Sequence, residues 1–379
     1  MMRKHSTLAT IAGVCLAAAV AVGLRLRSGR TTGAPAAAPV AAAEAPWRRD
    51  ARAAAARGTA WLVAAQRPDG SWSDPRFPAL SGLALWALNG LEDAAARAAA
   101  DRAVAFLLSC VRDDGGIYVE VPGRKGGGLG TYNTAICLTA LHATGRRDLA
   151  RTLQRARAFL AAAQYQGDEE VHFGGFGYDR QTERDYTDLM NTHFAVEAMR
   201  RTQDVEDLRP AGEAHADVNW EHVLRYIERL QARPEDGPDN AGGFVYNPID
   251  AKAGTETNAA GRVVLRAYGS ITYAGLLALL YAEVPRDDPR VVSAVDFAAR
   301  HWTLEENPGM GDQGLYFYYN VIARALTAGG MDAIARKDGA GGPIRWREEL
   351  ACKLTATQRP DGSWANVNNR FWENDRSEE

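Results

Sequence analysis

The chain of 379 residues is 46% hydrophobic and 24% charged, with a formal net charge of -3. This composition is typical of a globular protein with a substantial core. It lacks the strong basic field that a nucleic-acid partner requires. Cys110, Cys137 and Cys352 lie beyond the N-terminal apolar segment, and their number and spacing indicate neither a disulfide framework nor a zinc site.

The N-terminus contains an uncharged stretch, residues 6–24, between Arg3 and Arg25. As a helix it would be about 28 Å long, close to the thickness of a bilayer core. Residues 1–30 are therefore predicted to be a membrane anchor or a signal segment. An uncleaved anchor, which we favour, would hold the folded region at the membrane, outside the cytoplasm, whereas cleavage would give a secreted protein. Residues 31–46, mostly Ala, Pro and Gly, are predicted to be a linker, which leaves 47–379 as the folded region.

The folded region contains an internal repeat, which is most visible at its two ends. Residues 62–72 read LVAAQRPDGSW, and residues 354–364 read LTATQRPDGSW. Looser copies lie between them, around Val111, Gln164, Gln231 and Trp302. A unit that recurs in this way predicts a repeat architecture in which neighbouring units share one core.

Each copy begins with a helix rich in Ala and Arg that runs into Gln and then a turn, set at the ends by Pro, Asp and Gly. A second, more apolar helix follows, with apolar residues at helical spacing. These second helices are predicted at 79–91, 131–143, 188–199, 270–281 and 318–326. Alternation of an amphipathic helix with a more apolar one predicts an all-α protein with two concentric layers.

Residues 57–72 match RGxxWLxxxQxxxGxW, which resembles the QW motif of squalene-hopene cyclases and related triterpene cyclases. The resemblance implies an α/α toroid, like an α6/α6 barrel, of the terpenoid cyclase and protein prenyltransferase type. It also implies structural roles for Gln66, Trp72, Gln358 and Trp364: each Gln amide would bond the end of a neighbouring helix while stacking on the indole.

The cyclases of this family protonate an alkene or epoxide with an Asp-x-Asp-Asp-Thr cluster, which residues 188–192 resemble. Met190 stands in place of the central proton donor, and Asn191 in place of the next Asp. Neither side chain is an acid, so standard protonation-initiated cyclisation is not expected from this motif. Asp188 remains as the candidate catalytic acid, with a structural role at the start of a helix as the alternative.

Zinc chemistry of the prenyltransferase kind is not expected either. Arg266, Tyr268 and Asn320 stand where the resemblance would place the Asp, Cys and His ligands, and these side chains cannot assemble a zinc site. We predict no metal and no cofactor.

The predicted inner helices carry aromatic and polar residues that are candidates for a ligand cavity: Trp86, Tyr132, Asn133, Asn191, His193, Tyr268, Thr272, Tyr273, Asp312, Tyr316, Tyr319 and Asn320. In the cyclases such aromatic faces stabilise carbocations. The alternative is that these side chains pack the inner core and satisfy one another's polar groups.

The sequence supplies six outer-helix copies but five apolar inner helices, because the segment after Trp364 is polar. We therefore expect a ring that is incomplete near its C-terminus. An open position of this kind exposes apolar surface that can recruit a partner.

Three functions stay open on the sequence. The first is an isoprenoid-type enzyme or binding protein with a central apolar cavity, and the second is a non-catalytic scaffold displayed from the membrane. The third is a carbohydrate-active α/α barrel, which needs two facing carboxylates from among Asp185, Asp188 and Asp312. The expected partners are an apolar or isoprenoid-like small molecule and the membrane, with no nucleic acid.

Overall fold

The computed structural model describes residues 44–122, 128–179, 186–337 and 341–369. Its helices are α1 (Pro46–Ala64), α2 (Pro78–Leu88), α3 (Ala94–Ser109), α4 (Gly130–His142), α5 (Ala150–Ala161), α6 (Leu189–Arg201), α7 (Trp220–Leu230), α8 (Gly269–Tyr281), α9 (Pro289–Arg300), α10 (Leu315–Ala328) and α11 (Trp346–Thr357). Short 3₁₀ helices span Arg147–Leu149, Gln203–Leu208 and Pro234–Asp236. The strands β1 (Thr255–Thr257) and β2 (Val263–Leu265) form an antiparallel hairpin with Thr255 opposite Leu265.

The predicted anchor and all but the last few residues of the linker lie outside the described residues. Helix α1 begins at Pro46, the final residue assigned to the linker. No helix in the described part of the chain is both long enough and apolar enough to cross a membrane.

The helices form two layers, as the alternating sequence pattern predicts. Helices α2, α4, α6, α8 and α10 are buried over most of their length, and every residue of α8 from Gly269 to Leu279 is buried. The other helices are amphipathic: α7 buries Val223, Tyr226, Ile227 and Leu230 and exposes the rest of its surface. This arrangement confirms the prediction of an all-α helical toroid.

The inner layer runs in chain order, since α2, α4, α6, α8 and α10 each pack against the next. The outer layer closes where α11 packs on α1. The strong inner contacts do not include a pair between α10 and α2, so the described residues leave the sixth inner position without a helix. At this seam Asn366 Nδ2 donates to the Asp312 carbonyl at 2.5 Å, and Asn368 Nδ2 donates to the Asp312 carboxylate at 3.1 Å.

The repeated Gln residues join neighbouring outer helices. Gln66 Nε2 donates to the carbonyl of Gly70 at 3.0 Å and to that of Ala99, in the second turn of α3, at 2.8 Å. Gln164, Gln231 and Gln358 make the same pair of bonds, to the carbonyls of Gly174 and Asn219, of Gly242 and Arg290, and of Gly362 and Ala54. We call each such Gln, with its turn glycine, a joint. The Gln358 joint reaches back to α1 and closes the ring.

The turn glycine of each joint lies against the next outer helix. Gly70 has φ +88°, and a Cβ there would lie 2.4 Å from the Arg102 carbonyl oxygen. The same positive φ and close approach recur in the other copies, at Gly115, Gly174, Gly242 and Gly362. Only glycine combines this backbone conformation with so short a distance to a neighbouring helix.

In four copies that an inner helix follows, the residue two positions after the glycine anchors that helix. The backbone N–H of Trp72 donates to Ser81 Oγ at 2.9 Å. Equivalent bonds join Ile117 to Thr134, Phe176 to Thr192 and Phe244 to Thr272.

One copy of the repeat has Val111 in place of the Gln. There Arg155 Nη2 donates instead to the carbonyls of Arg112 and Asp113.

Trp72 and Trp364 fill matching places at the two ends of the repeat. Both are fully buried, and their indole N–H groups donate to the carbonyls of Leu62 and Leu354, each at 2.8 Å. Trp364 also lies against Gly58, where a Cβ would be 2.8 Å from the indole ring.

Candidate ligand site inside the toroid

Two polar clusters lie in the inner layer, and helix α6 contributes residues to each of them. Asp188 caps its N-terminus. Met190, His193, Phe194, Glu197 and Arg201 follow at spacings of three and four residues, which places them on one face of the helix. A charged residue on a helix that is otherwise buried requires a partner, so the surroundings of this face define the candidate site.

The rim cluster lies at the start of α6 and is centred on Asp188, which is fully buried. One carboxylate oxygen accepts from the Asn191 backbone N–H and the other from Asn191 Nδ2, both at 2.7 Å. Burial raises the pKa of this carboxyl to about 6, although these hydrogen bonds act in the opposite direction. The first oxygen caps the helix, and the second is held by the side-chain amide of Asn191.

Tyrosines complete the rim cluster. Tyr178 and Tyr246 share a hydrogen bond of 3.2 Å between their hydroxyls. Burial, with the Asp188 carboxylate as the next cause, raises the pKa of Tyr246 and of Tyr268 far above the usual range. These phenols stay protonated at any physiological pH. Together with the helix they separate the Asp188 carboxyl from solvent.

The central cluster is formed by His193, Glu197 and Arg324, with the rings of Trp86 and Phe194. Glu197 contacts Arg324 of α10, and their side chains are 1% and 7% exposed. Glu197 also accepts from Arg201 Nε at 3.0 Å and from the Tyr281 hydroxyl at 2.8 Å. The carboxylate therefore ties together the ends of α6, α8 and α10.

Aromatic rings enclose the Arg324 guanidinium. Its Cζ lies 5.3 Å from the centroids of both the Trp86 ring and the Phe194 ring, and Arg201 Cζ lies 5.3 Å from the Trp86 ring. Burial lowers the pKa of Arg324, whereas contact with the Glu197 carboxylate favours the charged form. We take Arg324 to be charged, because arginine does not lose its proton in proteins.

His193 is fully buried, yet neither ring nitrogen makes a hydrogen bond within the described part of the chain. Its ring lies 4.0 Å from the ring of Phe194 and 6.2 Å from that of Phe317. Burial and, second, the Arg324 charge lower its pKa, so the imidazole is neutral. The carbonyls of Leu189 and Met190 are near enough to influence that pKa, but neither is placed for a well-directed bond.

Several predicted site residues meet at the central cluster. Trp86 and His193 belong to it. Tyr132 packs edge-on to Phe194 at 5.6 Å, and Asn320 Oδ1 accepts from Arg324 Nη1 at 3.2 Å. Asn191 and Tyr268 lie at the rim cluster instead.

Other predicted site residues are engaged within the fold itself. Asn133 accepts from the Ala79 N–H and donates to the Gly128 carbonyl, while Thr272 anchors Phe244. Tyr319 donates to the Leu304 carbonyl. Among the rest, Tyr273 packs on Tyr318, Tyr316 packs on Tyr319, and Asp312 lies at the seam.

Sequence reasoning missed Glu197, Phe194, Phe317 and Arg324. One signal could have found the two charged residues: each lies within a helix whose other residues are largely apolar, one turn beyond a polar residue. On an outer helix that spacing describes a solvated face, whereas on an inner helix it indicates a buried polar site.

No family model matches the sequence, and a search of curated proteins finds no match. Among solved structures, the type II terpene cyclase MstE from Scytonema matches with a TM-score of 0.50 at 15% identity, over 85% of this chain and 82% of that enzyme. MstE bound to geranylgeranyl dihydroxybenzoate gives 0.49 at 15% identity, over 84% and 82%. A protein from Actinoplanes gives 0.48 at 18% identity, over 83% of each chain. At 15% identity the likeness to MstE shows the fold alone: this chain has a terpene-cyclase-like helical toroid.

Proposed function

We propose that the toroid binds an apolar, isoprenoid-like chain within its ring of inner helices. The observation that carries this proposal is the surface beside the seam. Leu83 and Trp86 on α2 and Phe317 on α10 are partly exposed, although they belong to the otherwise buried inner layer. An apolar chain laid against them would recover burial that the described residues leave incomplete.

The rim cluster supports binding without protonation-initiated cyclisation. One oxygen of Asp188 caps α6, the other accepts from the Asn191 side-chain amide, and the carboxyl has no exposed surface. Met190 and Asn191 provide no further acid. An alkene substrate would therefore meet no available proton donor at this position.

The shared toroid and the recurring joints support a further proposal, that the chain is a divergent member of the QW-repeat family. It retains that family's Gln and Trp residues at both ends of the fold. The acids and zinc ligands on which the family's known reactions depend are replaced.

Binding can be measured with the full-length protein in detergent, titrated with squalene and with geranylgeraniol. We expect Trp86→Ala to weaken binding at least tenfold, because an aromatic ring buries a large area against an apolar ligand. Trp220→Ala is the matched control, since Trp220 is also partly exposed and also lies under an arginine, Arg200, at 4.2 Å. Equal effects of the two substitutions, or no binding of either ligand, would remove the proposal.

The alternative is a non-catalytic scaffold displayed from a membrane, for which the predicted anchor at 1–30 provides the support. We propose that this segment holds the toroid at a membrane surface. Fractionation of cells that express the full chain or a chain lacking residues 1–30 tests this. Recovery of both forms in the same fraction would contradict it.

A further inference from the structure

The central cluster has an unusual hydrogen-bond balance for the interior of a protein. The two nitrogens of His193, and Nε of Arg324, have no hydrogen-bond partner within the described residues. His193 has no exposed surface, and Arg324 is 8% exposed. Such groups are uncommon in protein interiors, because a buried donor or acceptor without a partner destabilises the fold. Some buried oxygens elsewhere, such as Asn191 Oδ1 and the Tyr273 hydroxyl, also lack partners among the described residues, but the nitrogens without partners all belong to His193 and Arg324.

The charges of the cluster indicate the sign of that ligand. Glu197 contributes one negative charge, and it contacts two positive groups, Arg324 and Arg201. These three side chains together carry one positive charge in excess, and the Arg201 side chain is 42% exposed, so part of that excess is solvated. The neutral imidazole of His193 can add an N–H donor, and Arg324 Nε–H is a second. Two donors and an excess positive charge match an oxyanion.

The surroundings indicate what the oxyanion is attached to. His193 and Arg324 both lie beside the ring of Phe194. Trp86, whose ring centroid is 5.3 Å from Arg324 Cζ, belongs to the partly exposed apolar surface at the seam. A ligand with its head at the central cluster would thus place its chain against apolar and aromatic side chains.

We infer that the central cluster is a head-group subsite for a carboxylate at the end of an isoprenoid-like chain. This inference rests on the proposed function and adds the chemistry of the head group to it. The His193 imidazole and the Arg324 guanidinium hold the carboxylate by N–H donation. Glu197 holds Arg324 in place, and Trp86 marks where the chain begins.

The test compares two ligands of equal chain length, geranylgeranoic acid and geranylgeraniol, on the full-length protein. The wild-type protein should bind the acid at least tenfold more tightly, because a hydrogen bond to a charged group is worth about 1.5–3 kcal/mol. His193→Leu should reduce binding of the acid at least tenfold and leave binding of the alcohol unchanged. It should also raise the midpoint of thermal unfolding by about 2 °C, because it removes a buried unsatisfied group.

The matched control is His172→Leu. His172 is also buried, but its Nδ1 is 3.0 Å from the Thr187 hydroxyl, so its ring has a partner. This substitution should lower the unfolding midpoint and leave the preference for the acid intact. A purely structural His193 would behave in the same way as His172.

The outcomes separate the two proposals. Equal affinity for acid and alcohol, or a His193→Leu variant that is less stable than wild type, would overturn the head-group subsite while chain binding stands. Failure to bind either ligand would overturn both. The double variant Glu197→Gln, Arg324→Gln is an independent second test, because it removes the charges together; retention of the acid preference in it would also overturn the subsite.

Discussion

The joints and the central cluster are both polar, but they differ in whether their polar atoms have hydrogen-bond partners. At each joint the Gln amide donates to two carbonyls, and the same pattern recurs around the ring. In the central cluster, nitrogens of His193 and Arg324 have no hydrogen-bond partner among the described residues. The Gln amide of each joint finds its hydrogen-bond partners within the protein, whereas we assign the partner of the central cluster to a bound ligand.

The rim cluster lies between these cases. Asp188 is as deeply buried as His193, but both of its oxygens accept hydrogen bonds from Asn191. Asp188 stands at the position of the first Asp in the cyclase motif, but its hydrogen bonds are those of a residue that caps a helix. Buried oxygens without partners also occur elsewhere in the described residues, such as Asn191 Oδ1 and the Tyr273 hydroxyl. What distinguishes the central cluster is that the nitrogens without partners all belong to two neighbouring side chains there, His193 and Arg324.

The largest expected effect is at the central cluster. Glu197→Leu leaves Arg324 buried without a counter-charge, which should destabilise the protein by about 3–5 kcal/mol in denaturant unfolding. The control is Glu221→Leu, which removes the exposed pair with Arg225 on α7 and should change stability by less than about 1 kcal/mol. Similar effects of the two substitutions would mean that the buried Arg324 depends on its counter-charge no more than the exposed Arg225 does.

The rim cluster predicts a dependence of stability on pH. The pKa of Asp188 rises from 3.8 to about 6 on folding. The folded state thus favours the protonated form, so this contribution is fully present below about pH 4 and is lost as pH rises through about 6. At roughly 1.4 kcal/mol per pKa unit, the loss is about 3 kcal/mol.

Asp188→Asn should remove this contribution. Unfolding free energies of wild type and variant, measured from pH 4 to 8, should therefore differ by an amount that changes across that interval, with wild type losing stability relative to the variant as pH rises. A constant difference would show that Asp188 titrates alike in the folded and unfolded states.

The joints predict a steric effect that can be separated from backbone strain. Gly70→Ala forces a Cβ to within 2.4 Å of the Arg102 carbonyl at φ +88°, and should destabilise the protein by about 2 kcal/mol or more. Gly145→Ala shares the positive φ, +70°, but meets nothing within 4 Å, so about 1 kcal/mol is expected. If both variants lose the same stability in thermal unfolding, close helix approach is not what requires glycine at the joint.

The joints were predictable because the sequence repeats them. Gln, a turn glycine 4 to 11 residues later and an apolar residue two positions beyond that glycine recur in the same order, so the two-layer toroid follows from comparison of the chain with itself. The central cluster was not predictable in this way, because Glu197 and Arg324 meet only when α6 and α10 pack at the centre. His193 and Trp86 were found because a polar or large aromatic side chain stands out on an apolar helix. Their shared surroundings depend on ring closure, which no local pattern encodes.

The smallest effect expected is also the one that tests ring closure. Gln66→Leu and Gln358→Leu each remove two hydrogen bonds from an amide to backbone carbonyls, worth about 1–2 kcal/mol together. Each also removes the oxygen that accepts from an arginine, Arg102 or Arg57, but these bonds are exposed and water can replace them. The Gln66 joint links α1 to α3, which follow closely in sequence, whereas the Gln358 joint links α1 to α11 across the whole folded region.

If the ring unfolds as one cooperative unit, the two variants should lose the same free energy of unfolding, since every joint is then broken in the same transition. If α1 instead opens locally, Gln358→Leu should speed amide hydrogen exchange in α1 and leave global unfolding nearly unchanged. We expect the first result, because Trp364 packs on Gly58 and Gly362 lies against the Arg57 carbonyl, so that Gln358 is one of several contacts holding the two ends of the chain together.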